Sequence, residues 1–538
     1  MKPFYNFLSS KKTGWLFIII AIACRVVSIF HASFTSRDKI FLALQSKSWL
    51  TGKGFSIPQY FVADLTYPIY ELTPKWPPGY PIFLAPFLKL FDYDVAAATT
   101  AIDLIAGVAL IFLTRALAVQ LKFPAAAVNI ITLIVGCFDY AFISEALPTD
   151  ISSFAFFLGG LLLLLKAIQQ EILSISKIIA ASLLLFVPCT FRYAYPPLSI
   201  AAPLSLIFVG WYLQKKIFIK KGVLSLSVMS LLLVIFFVSM KAITGRTGYI
   251  VDTGRGFYPE NLLHCAPIVP GSFINTFFTT SQLINKTGMS FTQSHGLLQI
   301  INVLMVAGLL LLIFYLFFKK RVFTQVDPFK LFLLTGFFIS AATFVSLGYL
   351  SATYKPQPGW GNYLGEPRYF MFINFYLQIA FIGWIFLYDL WKKNVLQKII
   401  ISILSLLLFI EVFHNIYFNT KIAFALEKHQ AAPYEEPDYT YFVHTLDSLS
   451  RENPDTDFLI VAESDDFFPL MAAYLDHKGI YDGQNLVKQT IQVKKKTIIL
   501  FTLYDNELAP YRQFLANNNA SLLSRVNGVN FYTVAISP

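Results

Sequence analysis

Long apolar runs separated by polar connections fill the first 420 residues. A helix that crosses a bilayer needs roughly 17–25 mostly apolar residues. Eleven runs meet that requirement: 13–32, 95–117, 124–143, 151–169, 177–193, 197–213, 222–243, 297–318, 329–350, 369–390 and 397–418. The fifth and sixth are parted only around Arg192-Tyr193-Ala194-Tyr195-Pro196-Pro197. Proline lacks a backbone donor and clashes with the preceding turn, so the pair of prolines predicts a break there.

Beyond about residue 420 the runs shorten and Asp, Glu, Asn and Lys return. Residues 458–462, 497–502 and 530–536 read as strands, and 439–450 and 508–517 as helices. That alternation predicts a small α/β domain with its own core. The pattern therefore predicts a polytopic α-helical membrane protein of about eleven transmembrane helices at 1–420. A C-terminal α/β domain follows at 421–538.

The first connection, 32–94, is polar, aromatic and rich in Gly and Pro. A connection of that length is usually functional or disordered, and its aromatic content argues against disorder. Pro77, Pro78 and Pro81 predict the start of an interfacial helix over 82–90, because proline is tolerated in a first turn.

Composition sharpens this reading. Of 538 residues, 56% are hydrophobic and 14% charged, against about 25% charged in soluble domains. The net charge of +11 comes from Lys and Arg clustered in every second connection, such as Lys215, Lys216, Lys220 and Lys221, or Lys319, Lys320 and Arg321. Such alternation marks cytoplasmic loops rather than a nucleic-acid surface. It predicts a cytoplasmic N-terminus and an extracytoplasmic C-terminal domain. The four cysteines lack CxxC spacing, and His264 and His295 lack metal-site spacing. Neither a disulfide framework nor a metal site is predicted.

The same topology puts Asp38, Lys75, Glu145, Asp150, Arg192 and Arg368 on the extracytoplasmic side, away from nucleotides. Asp38, just beyond the first run, is a general-base candidate if its loop shields it. Its alternative is a solvated aspartate beside Arg37 or Lys39. Lys75 is either a phosphate ligand or a lysine snorkelling from a surface helix. Arg192 and Arg368 each abut a run and precede a Tyr. A guanidinium there runs against the positive-inside tendency and matches phosphate geometry. Glu145 and Asp150 supply carboxylates at the second outer connection, and Asp150 alternatively caps the fourth helix.

The order of these features resembles the GT-C superfamily of integral-membrane glycosyltransferases. The features are a first helix, Asp38, Gly52-Lys53-Gly54-Phe55-Ser56, then Trp76-Pro77-Pro78-Gly79-Tyr80-Pro81. The branch with protein O-mannosyltransferases and lipid A aminoarabinose transferases is most similar, and the resemblance covers roughly 13–390. It extends through Ser144-Glu145, Phe191-Arg192-Tyr193 and Arg368-Tyr369. It implies inverting transfer of a sugar from a polyprenyl-phosphate donor to a hydroxyl of a glycan, lipid or protein. In that scheme Asp38 is the base, and Lys75 holds the donor phosphate with Arg192 or Arg368. Glu145 and Asp150 lie near the acceptor. Pro74 stands where the family can have a metal-binding glutamate, which counts against the divalent metal the resemblance otherwise allows; no other cofactor is implied. The implied partners are the lipid-linked donor, the acceptor and the bilayer, not nucleic acid.

A transporter or flippase of a lipid-linked sugar is the rival reading. It would want polar groups at membrane depth or paired, broken helices. Arg25 and Asp103 are the expected exceptions to otherwise apolar span centres, and no inverted repeat is evident.

Overall fold

The structure is a computed structural model. It describes residues 2–32, 37–61, 64–72, 77–138, 148–170, 174–245, 258, 276–277, 327–353, 371–387, 395–427, 445–446, 448–462, 478–481, 493, 495–526 and 529–537. The chain divides into two compact units. One comprises Met1–Ile29, Asp103–Glu145 and Thr149–Lys421; the other comprises Phe30–Ile102, Ala146–Pro148 and Ile422–Pro538.

The first unit is helical. Its described elements are α1 (Lys2–Ser9), α2 (Lys11–Ala32), α5 (Val95–Gln120), α6 (Ala125–Cys137), α7 (Pro148–Gln169), α8 (Ile175–Phe191), α9 (Tyr195–Tyr212), α10 (Lys216–Thr244), α11 (Pro328–Thr353), α12 (Met371–Leu387) and α13 (Val395–Glu427). Six of them, α2, α5, α7, α10, α11 and α13, are long and apolar enough to cross a membrane. The protein is thus a multi-pass helical membrane protein. Helices occupy ten of the eleven expected spans; 297–318 lies outside the described residues. α6 and α12 are shorter than expected over their described lengths.

Lipid-facing chemistry explains which residues stay exposed. Leu231, Val234, Ile235 and Val238 project from α10, and Ile399, Ile403, Leu406 and Phe413 from α13. Contiguous apolar faces of this kind suit a hydrocarbon solvent and would be a liability in water. Between helices, small residues allow close approach, as membrane interfaces require. A Cβ on Gly160 of α7 would sit 2.8 Å from Leu185 Cγ, 2.9 Å from Leu185 N and 3.0 Å from Ala181 O of α8. Aromatic rings fill wider gaps. Phe154 meets Phe375 edge-on, as Phe157 meets Phe372, with centroids 5.3 Å apart in both pairs.

Charge is also buried here. Lys221, expected in a cytoplasmic loop, lies in the second turn of α10 and is fully buried. Its ammonium donates to Ala167 O at 2.8 Å and to Gln170 O, carbonyls at the C-terminal end of α7. A cation suits that end, where carbonyls lack helical partners. Asn129 of α6 donates to Leu8 O at 2.8 Å and accepts from Arg115 at 2.9 Å, tying α1 and α5 to α6.

The second unit holds the first connection and the C-terminal segment. The connection is more regular than its composition predicted. It contains α3 (Arg37–Leu50), strands β1 (Ser56–Phe61) and β2 (Asp64–Leu72), and α4 (Gly79–Leu90). The antiparallel hairpin pairs Ser56 with Leu72 and Pro58 with Tyr70. Pro58 and Pro68 hide it in the sequence, yet prolines fit a two-stranded sheet because both strands are edges. α4 starts at Gly79 with Pro81 in its first turn, and buries Tyr80, Leu84 and Leu88. Ser46 of α3 donates to Pro81 O at 2.8 Å.

The C-terminal sheet contains β3 (Asp457–Ala462), β4 (Lys478–Tyr481), β5 (Thr497–Tyr504), β6 (Ser521–Val526) and β7 (Val529–Ile536), ordered β4-β3-β5-β7-β6. β4, β3 and β5 run parallel, while β7 and β6 are antiparallel additions. β5 is buried on both faces, which is why it reads as a continuous apolar run. Leu459, Val461, Ile499 and Phe501 fill one core. Phe458, Ile460, Ile498 and Leu500 fill the other. Helix α14 (Arg512–Asn517) follows a single 3-10 turn at Ala509–Tyr511. β1 packs against β4, the sheet's edge strand, so hairpin and C-terminal sheet share one unit.

Candidate functional site: a cavity at the helix ends around Asp150 and Arg192

The predicted break between the fifth and sixth spans is real and builds the site. α8 stops at Phe191, and Arg192 turns extended (φ −145°, ψ 135°) while its N–H still bonds Pro188 O at 3.0 Å. Three residues later α9 begins, with proline in its first turn. Pro188 inside α8 cannot donate to the ladder. The Arg192 side chain thus leaves from the C-terminal end of one helix.

It meets Asp150 in a salt bridge. Asp150 lies in the first turn of α7, which opens on Pro148. A carboxylate at a helix N-terminus and a guanidinium at a C-terminus are each stabilised by the helix dipole. The pair is largely shielded, with side chains 14% and 5% exposed for Arg192 and Asp150. Asp150 is therefore an ion-pair partner in the first turn rather than the residue preceding the helix.

Both residues line a cavity of about 370 Å³, within the common range of about 300–1,000 Å³ for small-ligand sites. The ends of α7, α8, α9, α11 and α12 converge on it. Tyr193, Tyr195, Pro197 and Leu198 form the α8–α9 side. Met371 and Phe372 of α12 form another, with Phe157 set edge-on behind Phe372. Thr343 and Ser346 of α11 complete the polar lining; each donates its hydroxyl to its own helix, at Ile339 O (2.9 Å) and Ala342 O (2.7 Å). Their oxygens keep only acceptor capacity beyond those bonds. Val345 (72% exposed) and Tyr349 (65%) border the opening on the outer face of α11. The lining residues of α11 lie in the C-terminal half of that helix.

Chemically, this is a mainly apolar pocket with one shielded ion pair and a side opening. Among the described residues, its charged lining residues are Arg192 and Asp150. It suits an amphipathic molecule with a small anionic or hydroxyl-bearing head.

Of the expected site residues, Arg192 and Asp150 come together here. Asp38 is the second residue of α3, in the other unit, and its side chain lies outside the described residues, as do Lys75, Glu145 and Arg368. Among the described residues no group of three or more His, Cys, Asp or Glu could hold a metal ion.

One polar feature of the spans was missed. Glu411, Asn415 and Asn419 form a buried stripe at successive turns of α13. Asn415 Nδ2 lies 3.4 Å from Glu411 Oε1, and Asn419 Nδ2 donates to Asn415 O at 2.8 Å. Their i, i+4, i+8 spacing on an otherwise apolar helix was the available signal. Asn374 and Gln378 repeat that spacing on α12, both fully buried.

Searches of the chain against protein families and against curated proteins found no match.

Proposed function

We propose that the protein is a membrane glycosyltransferase. It moves a sugar from a polyprenyl-phosphate donor to a hydroxyl acceptor on the extracytoplasmic side, with inversion at the anomeric carbon. The observation that carries this reading is the cavity itself: a guanidinium at a helix C-terminus, paired with Asp150, among mainly apolar walls that include the exposed Val345 and Tyr349. A lipid-linked sugar phosphate needs those properties together.

In this reading the donor phosphate rests on Arg192, with Lys75 and Arg368 as further cations, while the prenyl chain stays in lipid. A fixed cation stabilises the charge that gathers on the leaving phosphate. Asp38 takes the acceptor's hydroxyl proton, and the acceptor oxygen bonds to the anomeric carbon as the bond to phosphate breaks. An aspartate with an ordinary pKa near 3.9 is ionised at neutral pH and ready to do so. Phosphate leaves well without a protonating acid, unlike the sugar oxygen in most glycosidases.

The test is transfer by purified protein in nanodiscs, followed by mass spectrometry. Comparing envelope lipids and glycans with and without the gene identifies donor and acceptor. Asp38→Asn should abolish transfer and keep donor binding; full activity in that variant ends the assignment. Lys75→Ala should raise the donor KM.

A flippase for the same class of lipid is the second reading, favoured by the buried Glu411–Asn415–Asn419 stripe. It predicts that Glu411→Gln stops lipid translocation while Asp38→Asn does not.

A further inference from the structure

The cavity's cation is already engaged. Arg192 is salt-bridged to Asp150, the two are the charged residues among the described lining residues, and each is anchored at a favourable helix end. An anionic headgroup reaching Arg192 therefore meets a carboxylate at the same point. We propose that Asp150 is a built-in counter-ion latch: it competes with phosphate for Arg192, weakens the grip on the donor, and speeds release of the spent lipid phosphate. This inference rests on the reading of the cavity as a phosphate site.

The competition is unequal across the reaction, and the chemistry gives its direction. The donor is a phosphodiester with one negative charge. During transfer the bond from anomeric carbon to phosphate oxygen breaks and its electron pair stays on that oxygen. The acceptor's proton goes to Asp38, and the new carbon–oxygen bond forms to the acceptor. The lipid phosphate left behind is a monoester with a charge of about −1.5 to −2 at pH 7. An unopposed guanidinium in an apolar cavity would hold this product more tightly than the donor. Asp150 repels the product more strongly than the donor and offers Arg192 a replacement partner as the product leaves. Asp150 is thus a positioning residue, acting through Arg192 and not on the sugar.

Structural support alone makes the opposite prediction. If Asp150 merely held Arg192 in place, removing its charge would weaken phosphate binding. A latch that loses its charge binds phosphate better.

The experiment measures binding of a polyprenyl monophosphate to the full chain in nanodiscs, together with thermal unfolding. It compares wild type, Asp150→Asn, Asp150→Ser, Arg192→Gln and the double variant Asp150→Asn/Arg192→Gln. The serine variant removes the charge with a side chain suited to a helix start, and serves if the asparagine variant does not fold. Loss of the latch should tighten binding about ten-fold or more, a usual size for coupling between ligands. Arg192→Gln should abolish binding, and the double variant should follow it. In turnover, both the donor KM and kcat should fall, because product release slows. Equal or weaker binding by folded charge-removed variants, with wild type binding and Arg192→Gln not, overturns the latch and leaves the phosphate site standing. Binding unaffected by Arg192→Gln, or none in wild type, overturns the cavity reading and the latch with it.

Discussion

Asp150–Arg192 in the helical unit and Asp505–Arg525 in the sheet unit are the same chemical pair in opposite surroundings. The first is shielded among helix ends, and the second has side chains 53% and 59% exposed. Attraction between opposite charges grows as water is excluded, but so does the cost of stranding one of them. The buried pair is therefore consequential whichever partner changes, whereas an exposed pair is worth little. The helical unit places its charge pair in the lining of a cavity. The sheet unit uses it as ordinary surface chemistry over two apolar cores.

The strongest way to break the contrast is Arg192→Met. It removes the guanidinium that Asp150 is salt-bridged to, and removing one member of a buried pair typically costs about 3–5 kcal/mol. Thermal unfolding should show that loss, and Asp150→Leu in the same chain should restore part of it. Next comes Gly160→Leu, expected to cost about 1–3 kcal/mol or more through overpacking. Its added carbons meet backbone atoms of α8 that cannot rotate away. Because α7 and α8 carry Asp150 and Arg192, polyprenyl phosphate binding should fall with stability; unchanged unfolding would show that the helices can part freely.

Smaller still is Ile499→Val in the sheet core, at about 0.5–1.5 kcal/mol. Amide exchange of β5 in the full chain should quicken by the matching factor. The smallest effect belongs to Asp505. Its carboxyl is held below the usual range, first by the Asn530 side-chain amide and then by Arg525. A depressed carboxyl stabilises the fold above its unfolded pKa of about 3.9 and loses that contribution as pH falls through the folded value. Asp505→Asn should flatten the acid limb of local unfolding, its small cost present at neutral pH and vanishing in acid. High salt should weaken this pair well before it affects Asp150–Arg192.

Legibility in the sequence follows the same division. Most spans were readable because a bilayer demands long apolar runs, and the break at Pro196-Pro197 because proline cannot continue the ladder. The strands at 457–462, 497–504 and 529–536 were readable because buried strands of a layered sheet need continuous apolar residues. The hairpin was hidden by its prolines, β4 by its four-residue length, and Lys221 by the assumption that lysines lie in loops. Arg192 was readable as a candidate because a cation there runs against the positive-inside tendency, and Asp150 from its place at the second outer connection. Their pairing was not: 42 positions separate them.

The sequence by itself determined that the chain enters the membrane many times, roughly where its apolar spans lie, and that a strand-rich segment follows them. Those are local matters, set by hydrophobic length, proline and side-chain periodicity. Only the tertiary structure decided that Asp150 neutralises Arg192, that five helix ends enclose a cavity around them, and that the first connection folds with the C-terminal sheet. Such facts depend on which distant surfaces pack together. Helix packing and charge pairing across long separations leave no fixed spacing in a single chain for periodicity to reveal.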